Sequence, residues 1–296
     1  MKSIVKIAIL GIIFILALSF INYNPKDEPK KYISIEKAIK EKLVEASFSG
    51  LGGYQGECIE LNITSLSPKD TIIRIEPGRR LIARDSSLQD ILVIKEIQLF
   101  LASGEKKQVN IFGFCCQATD HAPGRSDAFD VGFMTDSSFI LLSEFLGKTN
   151  LPLNVMQSAV WVLSNSHSLN SISNDNENDK PKMKELFQLL AKIKKVKYEF
   201  PWYSLKYKQD TAQLFSNRPV KLFGEFEYTI TNPSSVDLVI RTSKNLFVKN
   251  IFAGKPHDPD NYVQRFSFDV STWPKGKYYM ILYIDNQQKI KKEFEL

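Results

Sequence analysis

Residues 97–116 read "IQLFLASGEKKQVNIFGFCC". Two runs of alternating character flank a short polar step. In the second run Val109, Ile111, Gly113 and Cys115 fall on one face, and Asn110, Phe112, Phe114 and Cys116 on the other. A period of two marks strands, and "ASGEKKQVNI" reads as a hairpin-like step between them. The rhythm continues upstream in "CIELNIT", "TIIRIEPG" and "DILVIKEIQLF", with turns at "SPKD" and "EPGRR". "GECIELNITSLSPKDTIIRI" has the look of an immunoglobulin-like first hairpin. Several short strands with tight turns predict an antiparallel β-sandwich over residues 57–116.

The sequence on either side is helical in character. "SIEKAIKEKLVEASFSG" opens with Ser34 as a candidate N-cap and spaces Ile35, Ala38, Ile39 and Leu43 as a helix face, which "GLGG" then stops. Downstream, residues 137–195 hold three amphipathic segments: "SSFILLSEFLGKTN" with a serine cap, "LPLNVMQSAVWVLSN" and "KPKMKELFQLLAKIKK". Between the last two lies "SNSHSLNSISNDNENDKP", poor in core-forming residues and expected to be a mobile loop. After "YEFPWYSLKYKQD" the chain turns to short strands again. The expected fold class is therefore α+β: an antiparallel β-sandwich with packed helices (residues 33–200), followed by a second, Ig-like β-sandwich (residues 201–296).

The N-terminus assigns a compartment. Lys2 and Lys6 precede an apolar run from Ile7 to Ile21, and a polar, proline-containing stretch follows. This is the pattern of a signal peptide or signal anchor (residues 1–22) with a linker (residues 23–32), and it predicts an exported chain: secreted, periplasmic or on the cell surface. Membrane attachment is expected only through this segment if it stays uncleaved. The chain carries a net charge of +6, but its lysines are scattered and no basic patch with interleaved aromatics can be built, which argues against nucleic-acid binding.

Export makes the three cysteines disulfide candidates first. Cys58 could pair with one member of the Cys115–Cys116 doublet, or the doublet could bridge itself. Strand parity selects Cys58–Cys116: Cys58 lies opposite in parity to Ile59, Leu61 and Ile63, and Cys116 opposite to Val109 and Ile111. Cys115 is then the spare thiol.

Gln157-Ser158-Ala159-Val160-Trp161 resembles the Gln-x-Ala-Φ-Trp motif of bacterial thioester domains, and Phe114-Cys115 is similar to the cysteine half of that pattern. Met156 stands where the family usually has threonine. The resemblance implies a Cys115–Gln157 thioester that acylates amines on a host or neighbouring surface. A second likeness lies at the C-terminus. "YVQRFSFDVSTWPKGKYYMILYIDNQQKIKKEFEL" resembles the Ig-like C-terminal domains of exported bacterial proteins, including the type IX sorting kind. Asp269, Ser271, Trp273, Pro274, Gly276 and Tyr278 carry the characteristic step.

Other chemistries are thinner. A cysteine hydrolase would draw on His121 or His167, oriented by Asp120 or Asp127, yet no local sequence matches a nucleophile site. His257, Asp258, Asp260 and Asn261 place oxygen ligands alternately but lack the glycine and terminal glutamate of a calcium loop. "GLGG" precedes a strand, so it is no phosphate cradle. The expected function is that of an exported, non-enzymatic cell-envelope or secreted binding protein without cofactor. Its partner would be an unidentified surface protein or glycan. A thioester-containing, adhesin-like module is the alternative, and a cysteine hydrolase the third reading.

Overall fold

Strands in the first module are rich in Ile, Val and Leu because most are covered on at least one face. A computed structural model describes residues 32–174, 176–197, 201–208 and 214–296. The expected signal segment and nearly all of the linker lie outside the described residues.

The fold is α+β, as its alternating patterns predict. In the first module the strands close on themselves. Six of them, β2 (Val44–Leu51), β3 (Gln55–Ser65), β5 (Arg79–Ala83), β6 (Ile91–Val93), β8 (Lys106–Cys115) and β9 (Arg125–Met134), form a closed barrel in the order β2-β3-β8-β6-β5-β9. Every neighbouring pair is antiparallel. A small sheet of β1 (Ile33–Ser34), β4 (Thr71–Ile75) and β7 (Ile97–Leu101) joins the same core. Phe48, Ile59, Leu61, Ile63, Leu81, Ile111 and Cys115 fill the barrel, and each large apolar side chain so buried contributes about 1.5–3 kcal/mol over leaving it in water.

Two expected hairpins do not form. The turn after Leu101 is real, closed by the Glu105 N–H on the Ala102 carbonyl at 3.1 Å. Its flanking strands nevertheless part: β7 pairs with β4, and β8 pairs with β3 and β6. Likewise β3 and β4 belong to different sheets. The true hairpin is β2–β3, and it takes residues that helical spacing had claimed. Helix α1 is confined to Ile35–Lys40, with Ser34 as its N-cap accepting from the Lys37 N–H. Lys42 turns the chain at φ 55°, and Val44, Phe48 and Gly50 then alternate inward as a strand.

Helices cover the outer face of β6 and β8. They are α2 (Ser137–Gly147), capped by Asp136 rather than by a serine, α3 (Leu153–Ser164) and α4 (Lys180–Lys194). Leu92, Phe114 and Cys116 point into this second core, against Val155, Ala159, Leu186 and Phe187. Strands β6 and β8 are thus buried on both sides here, which explains why "ILV" and "FCC" read as unbroken apolar runs rather than as alternation.

The loop between α3 and α4 is anchored, contrary to its expected mobility. His167 and Ile172 are buried, and Asn174 and Asn176 bond the Asp179 carboxylate. Composition misled because two buried side chains and a set of local Asn/Asp bonds hold what few apolar residues suggested would be loose.

The second module is a sandwich of two antiparallel sheets. One contains β10 (Tyr203–Lys206), β11 (Lys221–Ile230) and β14 (Asp260–Asp269). The other contains β12 (Ser234–Thr242), β13 (Phe247–His257), β15 (Lys277–Ile284) and β16 (Gln287–Glu295). The step noted in the sequence is a locked turn: Asp269 accepts from the main chain and hydroxyl of Ser271, and the Tyr278 hydroxyl donates to the Pro274 carbonyl at 2.7 Å. The approach to this module packs on the end of α3. Tyr207 stacks on His167 at 3.9 Å, and Phe215 lies 4.2 Å from Trp161, ring to ring.

Candidate functional site around Cys115 and Gln157

Helix α3 lies across the end of β8 and directs Gln157 at Cys115. The Cys115 N–H donates to Gln157 Oε1 at 3.2 Å, and Gln157 Nε2 donates to the Cys115 carbonyl at 2.8 Å. Both residues are buried. A carboxamide carries one acceptor and a donor group, like a peptide unit, so Gln157 satisfies this stretch of β8 as a further strand would. The two residues singled out in the sequence are therefore in direct contact.

The Cys115 N–H is also shared. It donates to the Tyr54 carbonyl at 3.0 Å. Tyr54 belongs to the tight connection between β2 and β3, where Gly52 and Gly53 have positive φ, as does Gly56 at the start of β3. Its ring lies nearly parallel to that of Trp161, with centroids 6.1 Å apart. Trp161, four residues after Gln157, is buried, and its Nε1 has no partner among the described residues. The tryptophan of the motif thus lies one helical turn from Gln157, while Tyr54, missed in the sequence, reaches the site through its main-chain carbonyl and packs its ring at the edge of the barrel core beside Trp161. The run "GLGGYQG" was the available signal: its glycines permit a hairpin tip, whereas the helical reading used them only as a stop.

None of the three cysteines is in a disulfide, which corrects the expected Cys58–Cys116 bridge. Parity was right for β8, where Cys115 joins the barrel core and Cys116 the helical core. It failed for β3. The β3–β8 register shifts between Glu57 and Ile59, leaving Cys58 as the extra residue of a bulge. A bulge reverses the alternation, so Cys58 turns into the barrel with Cys115. There its sulfur approaches the Gly113 carbonyl at 3.7 Å.

The electrostatics disfavour a thiolate. Burial pushes Cys58 and Cys116 up to about 12. Cys115 is raised further, by burial first and then by Cys58, Cys116 and Asp90. Asp90 is itself held by Arg80 and by a reciprocal pair of bonds with Gln117. A hydrolase nucleophile needs the opposite environment. The histidines do not supply it. The His121 side chain is exposed, and its main chain ties its loop to Ser87 and Gln89. His167 is buried against Trp161 and Tyr207, and burial lowers it to about 4. The proposed calcium ligands are also engaged: the Tyr228 hydroxyl bonds His257 Nε2 at 2.9 Å, and Asn261 meets Thr229. No group of potential metal ligands occurs among the described residues.

No family model matches the chain, and searches of curated proteins and of solved structures return no match either.

Proposed function

We propose that this protein is an exported covalent binding module whose Cys115 and Gln157 form an internal thioester. The observation that carries the reading is the reciprocal pair of hydrogen bonds between the Gln157 carboxamide and Cys115. It tethers the electrophile to the main chain of the residue that bears the nucleophile. The sulfur lies on the barrel side, and once it turns to Cδ the intramolecular attack removes about 7 kcal/mol or more from the barrier. The sulfur attacks Gln157 Cδ, the C–N bond breaks, and the thiol proton leaves with the nitrogen as ammonia. Charge developing on Oε1 faces the Cys115 N–H, a donor already in place.

Burial supports the product. An apolar site penalises a thiolate but not an uncharged S-acyl group, and it keeps water from the acyl carbon. A primary amine then attacks Cδ, the C–S bond breaks, and the amine proton passes to sulfur. The products are a substituted amide at Gln157 and a free Cys115 thiol. Each event consumes the site, so the module is a one-time linker and not a turnover enzyme. The N-terminal signal pattern supports a reaction outside the cell, where the acceptor would be an amine on a neighbouring surface.

The test is incorporation of methylamine into the full chain. Peptide mapping is expected to find an N-methyl carboxamide at Gln157 and a newly alkylatable Cys115. Unmodified Gln157 in a folded sample would instead leave Gln157 as a structural peg in an ordinary, non-covalent binding protein.

A further inference from the structure

The loop carrying Tyr54 does two things to the Cys115–Gln157 pair at once. We infer that it is a gate on the acyl site, with Tyr54 as a residue that positions and shields rather than reacts. The inference rests on the thioester reading above.

The first observation is the shared donor. One N–H, that of Cys115, points at the Tyr54 carbonyl at 3.0 Å and at Gln157 Oε1 at 3.2 Å. A bifurcated donor gives each acceptor only part of its strength. Oε1 is the acyl oxygen on which charge develops when an amine attacks. While the loop is down, that oxygen has an incomplete donor. When the loop lifts, the whole N–H turns to Oε1.

The second observation is cover. Of the two rings stacked beside the site, Trp161 is buried on a helix, whereas Tyr54 is partly exposed on a loop. Tyr54 packs at the edge of the barrel core, so its movement opens the site from the barrel's rim. The third is mechanical. Gly52 and Gly53, both at positive φ, form the connection with Tyr54, and Gly56, also at positive φ, lies two residues beyond it at the start of β3. The loop tip is held by the Gly53 N–H on the Pro123 carbonyl at 3.2 Å. A Cβ at Gly53 would meet nothing within 4 Å, so the tip is open to solvent. Glycines at these positions let the backbone swing where other residues would resist.

Opening therefore admits the amine and activates the carbonyl together. Closed, the gate holds the bond against water and against bulky amines.

The test uses the full chain with Tyr54→Ala and Tyr54→Phe. Untreated mass first establishes whether each protein carries the thioester, which judges the underlying reading separately. Reaction rates with methylamine, benzylamine and water follow. Tyr54→Ala, which removes the ring and keeps the main-chain carbonyl, should react faster than the wild type and lose its preference for methylamine over benzylamine. Tyr54→Phe, which keeps the ring, should behave as the wild type. Thioester-bearing Tyr54→Ala with wild-type rates and selectivity would overturn the gate. Should Tyr54→Ala not fold, hydrogen exchange on the wild type decides. The Cys115 amide, at the end of β8, is expected to exchange with the loop, faster than the other amides of β3 and β8. Equal protection of all of these would overturn the proposal.

Discussion

Gln157 Nε2 donates to the carbonyl of Cys115 at 2.8 Å while Gln157 Oε1 accepts from its N–H at 3.2 Å. The helix is thus joined to the barrel by a side chain acting as a peptide group. Buried amides are costly unless both ends are satisfied, and here both ends meet one residue. The predictions below follow from that pairing and from the packing around it.

The thiols should be silent in the native protein. All three are buried, and Cys58 and Cys116 are pushed up to about 12. Alkylation at pH 8 is expected to be slow for Cys58 and Cys116, and absent at Cys115, whose sulfur is acylated in this account. In denaturant Cys58 and Cys116 should react at ordinary rates, and peptide mapping without reductant should find no disulfide between them.

Cys58→Ser should destabilise by packing, not by loss of a staple. It replaces a sulfur in the barrel core with a hydroxyl whose nearest acceptor is the Gly113 carbonyl. The expected cost is about 1–3 kcal/mol in chemical denaturation. It should be the same with and without reductant.

Gly113 has no room for a side chain. A Cβ there would lie 2.5 Å from Ile91 Cγ2 and 2.8 Å from the Leu92 carbonyl oxygen. Gly113→Ala should cost about 1–3 kcal/mol and loosen the strand that carries Cys115. Gly124→Ala is the control. Its Cβ would meet only Asp127 Oδ2, at 3.4 Å, and its Tm should stay near the wild-type value.

Acid should weaken the contact between the modules through His167. Its ring packs between Trp161 and Tyr207, with Lys194 nearby adding to the penalty on a charge. Burial lowers it from the ordinary 6.5 to about 4. The folded state keeps His167 neutral where the unfolded chain already binds a proton. Stability from this source is therefore full above pH 6.5 and falls as pH drops toward 4, by at most about 3 kcal/mol. His167→Phe should flatten the Tm profile in that window. An unchanged profile would mean that other groups set the acid limit.

Much of the architecture was legible because pattern and burial coincide. The parity of Val109, Ile111 and Cys115 in β8, the Ile59–Ile63 alternation in β3 and the helices from Ser137 to Lys194 follow directly from apolar spacing. What escaped was everything set by partner choice. Neither the Ser103–Gly104 turn nor the Pro68–Asp70 turn says whether its strands pair with each other, and in this fold they do not. One bulged residue reversed the parity of Cys58 and removed the expected disulfide. Leu43 matched a helix face, but Lys42 at positive φ had already ended the helix. The Cys115–Gln157 contact was readable through a motif. The part played by Tyr54 was not, because a shared main-chain N–H leaves no mark on side-chain identity.

The central claim is a covalent bond between Cys115 and Gln157, and intact mass of the untreated, non-reduced protein tests it most directly. The account predicts a chain lighter than its sequence by one ammonia, with Cys115→Ala and Gln157→Ala each at full mass. A correctly folded wild-type chain at its full sequence mass, with Cys115 alkylated alongside Cys58 and Cys116 in denaturant, would contradict it.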